Sequence, residues 1–415
     1  MNSSDARDPL SDQALFDLVQ ERTFRWFWER ADPASGMAPD RTTAQPGIVT
    51  IGGTGFEIMA LIVGVARGWV SRAAVIERMR LILTTLEAAR RHHGAFPHWL
   101  DARTGETFPF GPKDDGGDLV ETAFLIQGLL SARHYFTGSD AVEADLRRRI
   151  DAIWHAVEWD WYAAADDTVL LWHWSPNHGF AMHHAIRGWN ECLIVYLLAA
   201  ASPTHPIDPN LYHQGWANSP VFRNGKTEYG VELPLGPPLG GPLFFAHYSF
   251  LGLDPRGLRD RYADYFEQNQ RHVELNLAYC RANPQGCLGY SGGCWGLTAS
   301  DNDTGYSAHS PSNDRCIITP TAALGSFPYV PEAAMAAMRY FYFDLGDCIW
   351  THWGFTDAFC EARGWYSKDH LAIDQGPIVI MMENHRSGLL WQLFMQAPEV
   401  SVGLDRLGFT RAAMA

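Results

Sequence analysis

No stretch of these 415 residues approaches the roughly 20 consecutive apolar residues that a membrane-spanning helix needs. The first residues, Met1-Asn2-Ser3-Ser4-Asp5, are polar and offer neither a positive n-region nor an apolar h-region. Cytoplasm is therefore the expected compartment, or the periplasm if a leader has been lost. Basic residues are few, 32 Lys and Arg against 47 Asp and Glu, and they form no stripe. A net charge of −15 repels phosphate backbones, which argues against nucleic-acid binding. The seven cysteines include no Cys-x-x-Cys pair. Cys280, Cys287 and Cys294 recur at seven-residue steps, but across a Pro/Gly-rich loop and in no standard zinc pattern. Reduced, mostly buried thiols and no metal are expected. There is no Gly-x-Ser-x-Gly elbow of an esterase. Gly52-Gly53-Thr54-Gly55 is neither a Walker loop nor a dinucleotide fingerprint and reads as a turn feeding a helix. His92-His93 and His183-His184 are adjacent pairs whose side chains diverge on a helix, so they propose no metal site. No charge block, Ser/Gly tract or polar linker interrupts the chain, so one domain over residues 1–415 is expected. Strict internal repeats and period-2 alternation are also scarce, which leaves little room for sheet.

What is abundant is apolar and aromatic surface: 47% hydrophobic residues, 13% aromatic, with 16 Trp. An indole packs in a core and also lies flat on a sugar ring, and the core is the commoner fate. Apolar residues recur at three and four. Ser11 reads as the N-cap of a first helix, Thr54 as the cap of a buried helix ending at Gly68, and Ser71 as the cap of a helix to about His92. Further helices are expected from about Asp118 to Phe136 and, behind an Asp140/Glu143 capping box, to Ala156. Others are expected near Gly188–Ala201, Leu258–Arg281, Pro331–Leu345 and Pro377–Met395, the last two with Pro at the first position. Long loops rich in Gly, Pro and aromatics separate them. Short and long connections in alternation imply an all-α fold of paired helical layers, an (α/α) barrel, with the long loops forming a cleft at one end.

Carboxylates placed where apolar helices meet these loops carry the functional signal, because burying a charge is costly without a role. Asp118 and Glu121 share one helix face, with Asp114 just upstream. Asp118 alone is equally well a helix-start acid, whereas Glu121 sits within an apolar run. Glu191 opens another wholly apolar run, where burial would raise its pKa as a general acid requires. Asp374 precedes Pro377 and reads equally as an N-cap or a catalytic group. Glu383-Asn384-His385-Arg386 reads as an ion-paired cluster in its helix. Trp172-His173-Trp174 and Trp295 lie in expected loops, where they could line sugar subsites.

At these motifs the chain resembles the bacterial glycoamylase-like domain, a group that includes glycoside hydrolase family 144, the endo-β-1,2-glucanases. The resemblance rests on Gly52-Gly53-Thr54-Gly55-Phe56, Gly94-Ala95-Phe96-Pro97-His98-Trp99, Gly116-Gly117-Asp118-Leu119-Val120-Glu121-Thr122 and His173-Trp174-Ser175-Pro176. Trp189-Asn190-Glu191, Phe245-Ala246-His247-Tyr248-Ser249, Trp295-Gly296-Leu297-Thr298-Ala299-Ser300-Asp301 and Ala372-Ile373-Asp374-Gln375-Gly376-Pro377 extend it, so that it runs from about Thr23 to Phe409. It implies an (α/α)6 barrel that hydrolyses β-1,2-glucan without metal or organic cofactor. Carried over, Glu191 resembles the general acid and Asp374 the general base, while Asp114, Asp118 and Glu121 resemble cleft carboxylates that bind substrate or relay protons. Substrate contacts are implied at Trp172, His173, Trp174, Trp189, Phe245, His247, Tyr248, Trp295, Asp301 and Gln375. Arg315-Cys316 is bulkier than the family's usual residues there. A retaining enzyme with Glu121 as nucleophile, an exo-acting sophorose-releasing enzyme and a non-catalytic glycan-binding toroid remain alternatives.

Overall fold

Several helices begin where a short polar side chain takes up orphan N–H groups. In the computed structural model, which describes residues 10–163 and 168–411, α1 spans Asp12–Arg30 behind Ser11, whose hydroxyl accepts the Ala14 N–H at 3.2 Å. The polar N-terminal residues behind the compartment reading lie outside the described residues. Helix α3 (Arg72–Ala88) follows the same rule with Ser71, and α4 (Leu119–Tyr135) with Asp118, whose carboxylate accepts the N–H groups of Val120 and Glu121. Before α5 (Ala141–His155), Asp140 caps as expected, but Glu143 reaches Gly138 N and the Arg72 guanidinium, leaving the box one-sided.

Helix α2 (Ile51–Ala66) departs from expectation at its start. It begins three residues before Thr54, so Gly52, Gly53 and Gly55 lie inside its first turns and not in a preceding turn. Their missing side chains explain this. A Cβ on Gly55 would lie 2.2 Å from the Phe124 carbonyl oxygen, and one on Gly128 would lie 2.2 Å from that of Gly55. Helices α2 and α4 thus cross backbone to backbone.

The chain continues through α6 (Leu193–Ala201), α7 (Tyr265–Ala282), α8 (Pro320–Leu324), α9 (Pro331–Arg339), α10 (Gly346–Ile349), α11 (Ala372–Arg386), α12 (Leu389–Met395) and α13 (Pro398–Arg406). Residues 188–192 form a turn ahead of α6, with Asn190 accepting the Cys192 N–H at 3.0 Å. Helix α7 starts at Tyr265, seven residues later than expected, because Asp264 caps it through the N–H groups of Phe266 and Glu267. Pro331 occupies the first position of α9 as expected, whereas Pro377 lies inside α11. That helix starts earlier because Ala372 packs on Gly53, and Gly376 leaves room for Phe56.

Helix α2 packs on both α4 and α11, α1 covers α11 and α2, α3 pairs with α5, and α13 covers α6. One hydrophobic cluster runs from Leu15 to Phe409. The expected ion-paired cluster near 383–386 is real but bridges helices: buried Glu383 takes Arg67 of the segment after α2, and Arg386 takes Asp17 of α1. The structure is mostly helical but not purely so. The long loops fold into short antiparallel pairs, among them Ile48–Thr50 with Trp99–Asp101, Gly117–Asp118 with His173–Trp174, and Ala299–Asn302 with Gly305–Ala308. Cys287 and Cys316 form a disulfide, correcting the expectation of reduced thiols. Cys280 and Cys294 stay free and buried, as expected. No described helix is long and apolar enough to cross a membrane.

Gly55→Ala should push α2 off α4 and cost about 1–3 kcal/mol of stability, as overpacking does elsewhere. Urea unfolding measures it, and an unchanged midpoint would show that the crossing is looser than described.

Candidate active site

Four helix N-termini meet around one cavity of about 460 Å³. Thr50 before α2, Glu121 in the first turn of α4, Glu191 two residues before α6 and Leu371 before α11 all line it. Aromatic walls come from the loops: Trp99, Phe110, Trp172, Phe244, Tyr248 and Tyr306. Two further cavities adjoin it. One of about 710 Å³ shares His98, Phe110 and Trp172 and is lined by Asp114, Asp118 and His173. The other, about 480 Å³, shares Arg41 and Tyr306 and is lined by Asp301. Together they make a cleft with a central chamber and a lobe on either side.

The carboxylates of α4 are held differently although they stand three residues apart. Asp118 is fully buried, yet its Oδ1 accepts two backbone N–H groups and its Oδ2 faces His98 Nδ1 at 3.1 Å and His173 Nε2 at 3.8 Å. Burial opposes its charge, but the His98 hydrogen bond and the nearby imidazoles hold its pKa below the ordinary value. His173 also meets Asp114 at 3.1 Å, so Asp114, Asp118 and His173 form one network. Burial works against the charge of His98, yet Glu121 and Asp118 push its pKa up to about 9. Among the described residues, Glu121 receives only the Gly52 N–H, at 2.7 Å. Its burial raises the pKa to about 7, although the His98 charge pulls the other way.

Glu191 lies across the chamber. The Ser249 hydroxyl donates to the Glu191 carbonyl and accepts the Ile194 N–H at 3.0 Å, pinning this turn to the segment 248–251. Burial pushes the Glu191 carboxyl up to about 7, with smaller help from Asp118 and Glu121. Asp374 sits in the first turn of α11 and is buried, not capping. Its neighbours Leu371 and Ile373 line the chamber, while its own oxygens lie behind the wall. Burial and the charge of Asp357 raise its pKa well above the usual range. Tyr248 links the two sides, since burial lifts its phenol's pKa and the charges of Asp374 and Glu191 both add to the rise.

Several residues expected to touch sugar do not line the cleft. Trp295 is fully buried, its indole N–H on the Ala333 carbonyl at 3.2 Å, so it is core. Trp189 is buried among Trp216, Phe222 and Tyr265. His247 is buried against Ser326, and burial lowers its pKa to about 3, leaving it neutral. Among the described residues Gln375 reaches only the Phe355 carbonyl, at 3.4 Å, and Trp174 packs on His93 and Trp161. Phe245 turns to Phe244 and His272. These side chains pack within the fold, which side-chain type alone does not disclose. Trp172, His173, Tyr248 and Asp301 do line the cleft. Sequence reasoning assigned no role to Arg41, His98, Trp99, Phe110, Tyr306 or Asp357. Two of these carried a signal: His98 and Trp99 fall within a motif already singled out, where a histidine stands between a proline and a tryptophan.

The family model described as "Putative glucoamylase" matches residues 183–398. A Parabacteroides distasonis exo beta-1,2-glucooligosaccharide sophorohydrolase (non-reducing end) is 43% identical over 96% of this chain, which spans 58% of that relative's length. The structure of an endo-beta-1,2-glucanase from Chitinophaga pinensis, in complex with sophorotriose and glucose, is 51% identical with a TM-score of 0.94, covering 97% of this chain and 99% of that one. A Bacteroides uniformis structure described in the same words as the family model is 53% identical, covering 99% and 100% of the two chains, with a TM-score of 0.96.

The raised pKa of Glu191 has a stability consequence with a definite sign. The folded carboxyl keeps its proton up to about pH 7, while the unfolded one loses it near 4.5. Its burial is therefore tolerated below pH 4.5, and stability falls as pH rises through 7. Glu191→Gln cannot ionise, so its unfolding free energy should gain about 3 kcal/mol on the wild type between pH 4.5 and 8. Urea unfolding across that range checks this, and parallel curves would show that Glu191 is not desolvated.

Proposed function

The chain belongs to the glycoamylase family, and we propose that it is a glycoside hydrolase cleaving β-1,2-glucan at internal linkages with inversion. The observation that carries this reading is the Glu191 carboxyl, protonated near neutral pH by burial and lining an aromatic-walled chamber that opens into a lobe on each side. A chain occupying both lobes would be cut in its middle, which supports endo action. The paired helices around four converging N-termini support an (α/α)6 barrel, and the main core cluster, which runs from Leu15 to Phe409, supports one domain.

In this mechanism Glu191 donates its proton to the leaving glycosidic oxygen, and Asp374 accepts a proton from the attacking water. Because the oxygens of Asp374 lie behind the chamber wall, that proton passes through a water or a sugar hydroxyl, a route that Tyr248 and Tyr306 border. Asp118, Asp114 and His173 form a charged floor for sugar hydroxyls in one lobe, and Arg41 with Asp301 plays that part in the other. Trp172, Trp99, Phe110 and Tyr306 supply apolar faces for glucose rings. The Cys287–Cys316 disulfide supports an oxidising compartment such as the periplasm over the cytoplasm.

Linear β-1,2-glucan should yield a spread of sophoro-oligosaccharides, while β-1,3-glucan, cellulose and starch stay intact. Cyclic β-1,2-glucan should also be opened, because an internal cut needs no chain end. Sophorose as the sole early product would turn the reading to exo action, which the Parabacteroides relative's name describes. Proton NMR should show an α-anomer first. A β-anomer would point instead to a retaining enzyme with Glu121, which lines the same chamber, as nucleophile. Glu191→Gln should lower kcat/KM by about 10²–10⁴-fold, and wild-type rates in that variant would remove the assignment.

A further inference from the structure

The Glu191 carboxyl stands where its backbone puts it. Among the described residues no side chain hydrogen-bonds to it, so the turn 188–192 sets its place in the chamber. That turn is gripped at both ends. At its start the Gly188 N–H reaches the Trp216 carbonyl at 2.9 Å, and Asn190 Oδ1 accepts from the Trp216 indole at 3.3 Å. At its end the anchor is Ser249, which is fully buried. The Ser249 hydroxyl donates to the Glu191 carbonyl and accepts the Ile194 N–H at 3.0 Å. Cys192, the residue before α6, gives that helix no side-chain cap, so Ser249 supplies one from a distant part of the chain.

Ser249 itself has a fixed base. The turn Tyr248–Leu251 is held by side chains of three other helices. Gln127 of α4 donates to the Tyr248 carbonyl at 3.1 Å and accepts the Gly252 N–H at 2.8 Å. Trp391 of α12 donates to the Phe250 carbonyl at 2.7 Å, and Asn384 of α11 to the Leu251 carbonyl at 2.9 Å. Tyr248, next in the chain, lines the chamber and packs on Phe56 and Phe124.

We infer that Ser249 is a positioning residue for proton donation, holding the Glu191 peptide against this clamp so that the carboxyl meets the leaving glycosidic oxygen. This inference rests on the reading of Glu191 as the acid. Proton transfer needs donor and acceptor within hydrogen-bond reach, and a small displacement of either is costly. Without the hydroxyl, a buried carbonyl and a buried N–H lose their partner. The turn relieves this by shifting, and the carboxyl moves with it. The loss therefore falls on protonation of the leaving group and not on sugar binding.

The test compares two substrates in Ser249→Ala. Linear β-1,2-glucan has a sugar leaving group that needs a proton, whereas dinitrophenyl β-sophoroside releases a phenolate that needs none. On the glucan kcat should fall about 10–100-fold with KM nearly unchanged. On the aryl substrate kcat/KM should stay near that of the wild type. A loss shared by both substrates, absent from the glucan, or confined to KM overturns the inference, because a merely structural role moves both substrates together. If Ala does not fold, Ser249→Cys decides. Its thiol is a weaker donor in nearly the same volume and should give the same selective loss at smaller size, so equal effects on both substrates, or none, overturn the inference there too. Glu191→Gln separates the two levels. If it keeps wild-type rates on the glucan, the acid assignment fails. If it is slow on the glucan and spared on the aryl substrate while the Ser249 variants show no such split, only the positioning role fails.

Discussion

The backbone crossing of α2 over α4 is the contact on which the site depends. Gly55 and Gly128 admit each other's helices where any side chain would meet a carbonyl oxygen. The same closeness brings the Gly52 N–H to Glu121 and leaves no space for anything larger, since a Cβ there would lie 2.6 Å from the Glu121 oxygen. A glutamate is thereby buried under the cleft with one donor, and its neighbour Asp118 is left to cap the helix. Gln127, one turn and a half further on, then holds the Tyr248 carbonyl and the Gly252 N–H, tying the loop beside Glu191 to the same helix. Position and protonation in the chamber follow from one tight crossing.

Around that floor the chain divides similar carboxyls into different chemical states by environment alone. Asp118 gains two backbone N–H groups and an imidazolium and stays ionised, while Glu121 and Glu191, with fewer donors, hold protons toward neutral pH. The positive ends of four helices face the same space, which offsets part of the cost of gathering so many acids. Arg41 and His98 supply the cationic charge, one toward each lobe. The resulting cleft offers flat apolar faces for rings and fixed charges for hydroxyls, the combination expected of a polysaccharide site.

Much of the helical scaffold was legible because caps and periodicity are local. Ser11, Ser71, Asp118, Asp140 and Pro331 all act within one turn of themselves, and each stands where expected. The misplaced starts share one cause. Thr54 and Pro377 look like helix beginnings, but Gly53 and Ala372 pack on each other across the molecule and draw α2 and α11 back by a turn. Cys287 and Cys316 likewise gave no local sign of pairing, since 29 residues separate them. Trp295 and Trp189 show the same limit from the other side, because a tryptophan in a loop motif reads alike whether it faces a sugar or a core.

By itself the sequence determined which residues could do acid–base work: Glu121 and Glu191 are set in apolar runs, and burial of a carboxyl there is a matter of neighbours three and four residues away. It also determined the helical class, through the same short-range periodicity. Only the tertiary structure decided which aromatics reach the cleft, that Asp374 lies behind its wall, and that the charge of Asp357 bears on it. Those relations join segments far apart in the chain, and no spacing within a segment encodes the distance between two of them.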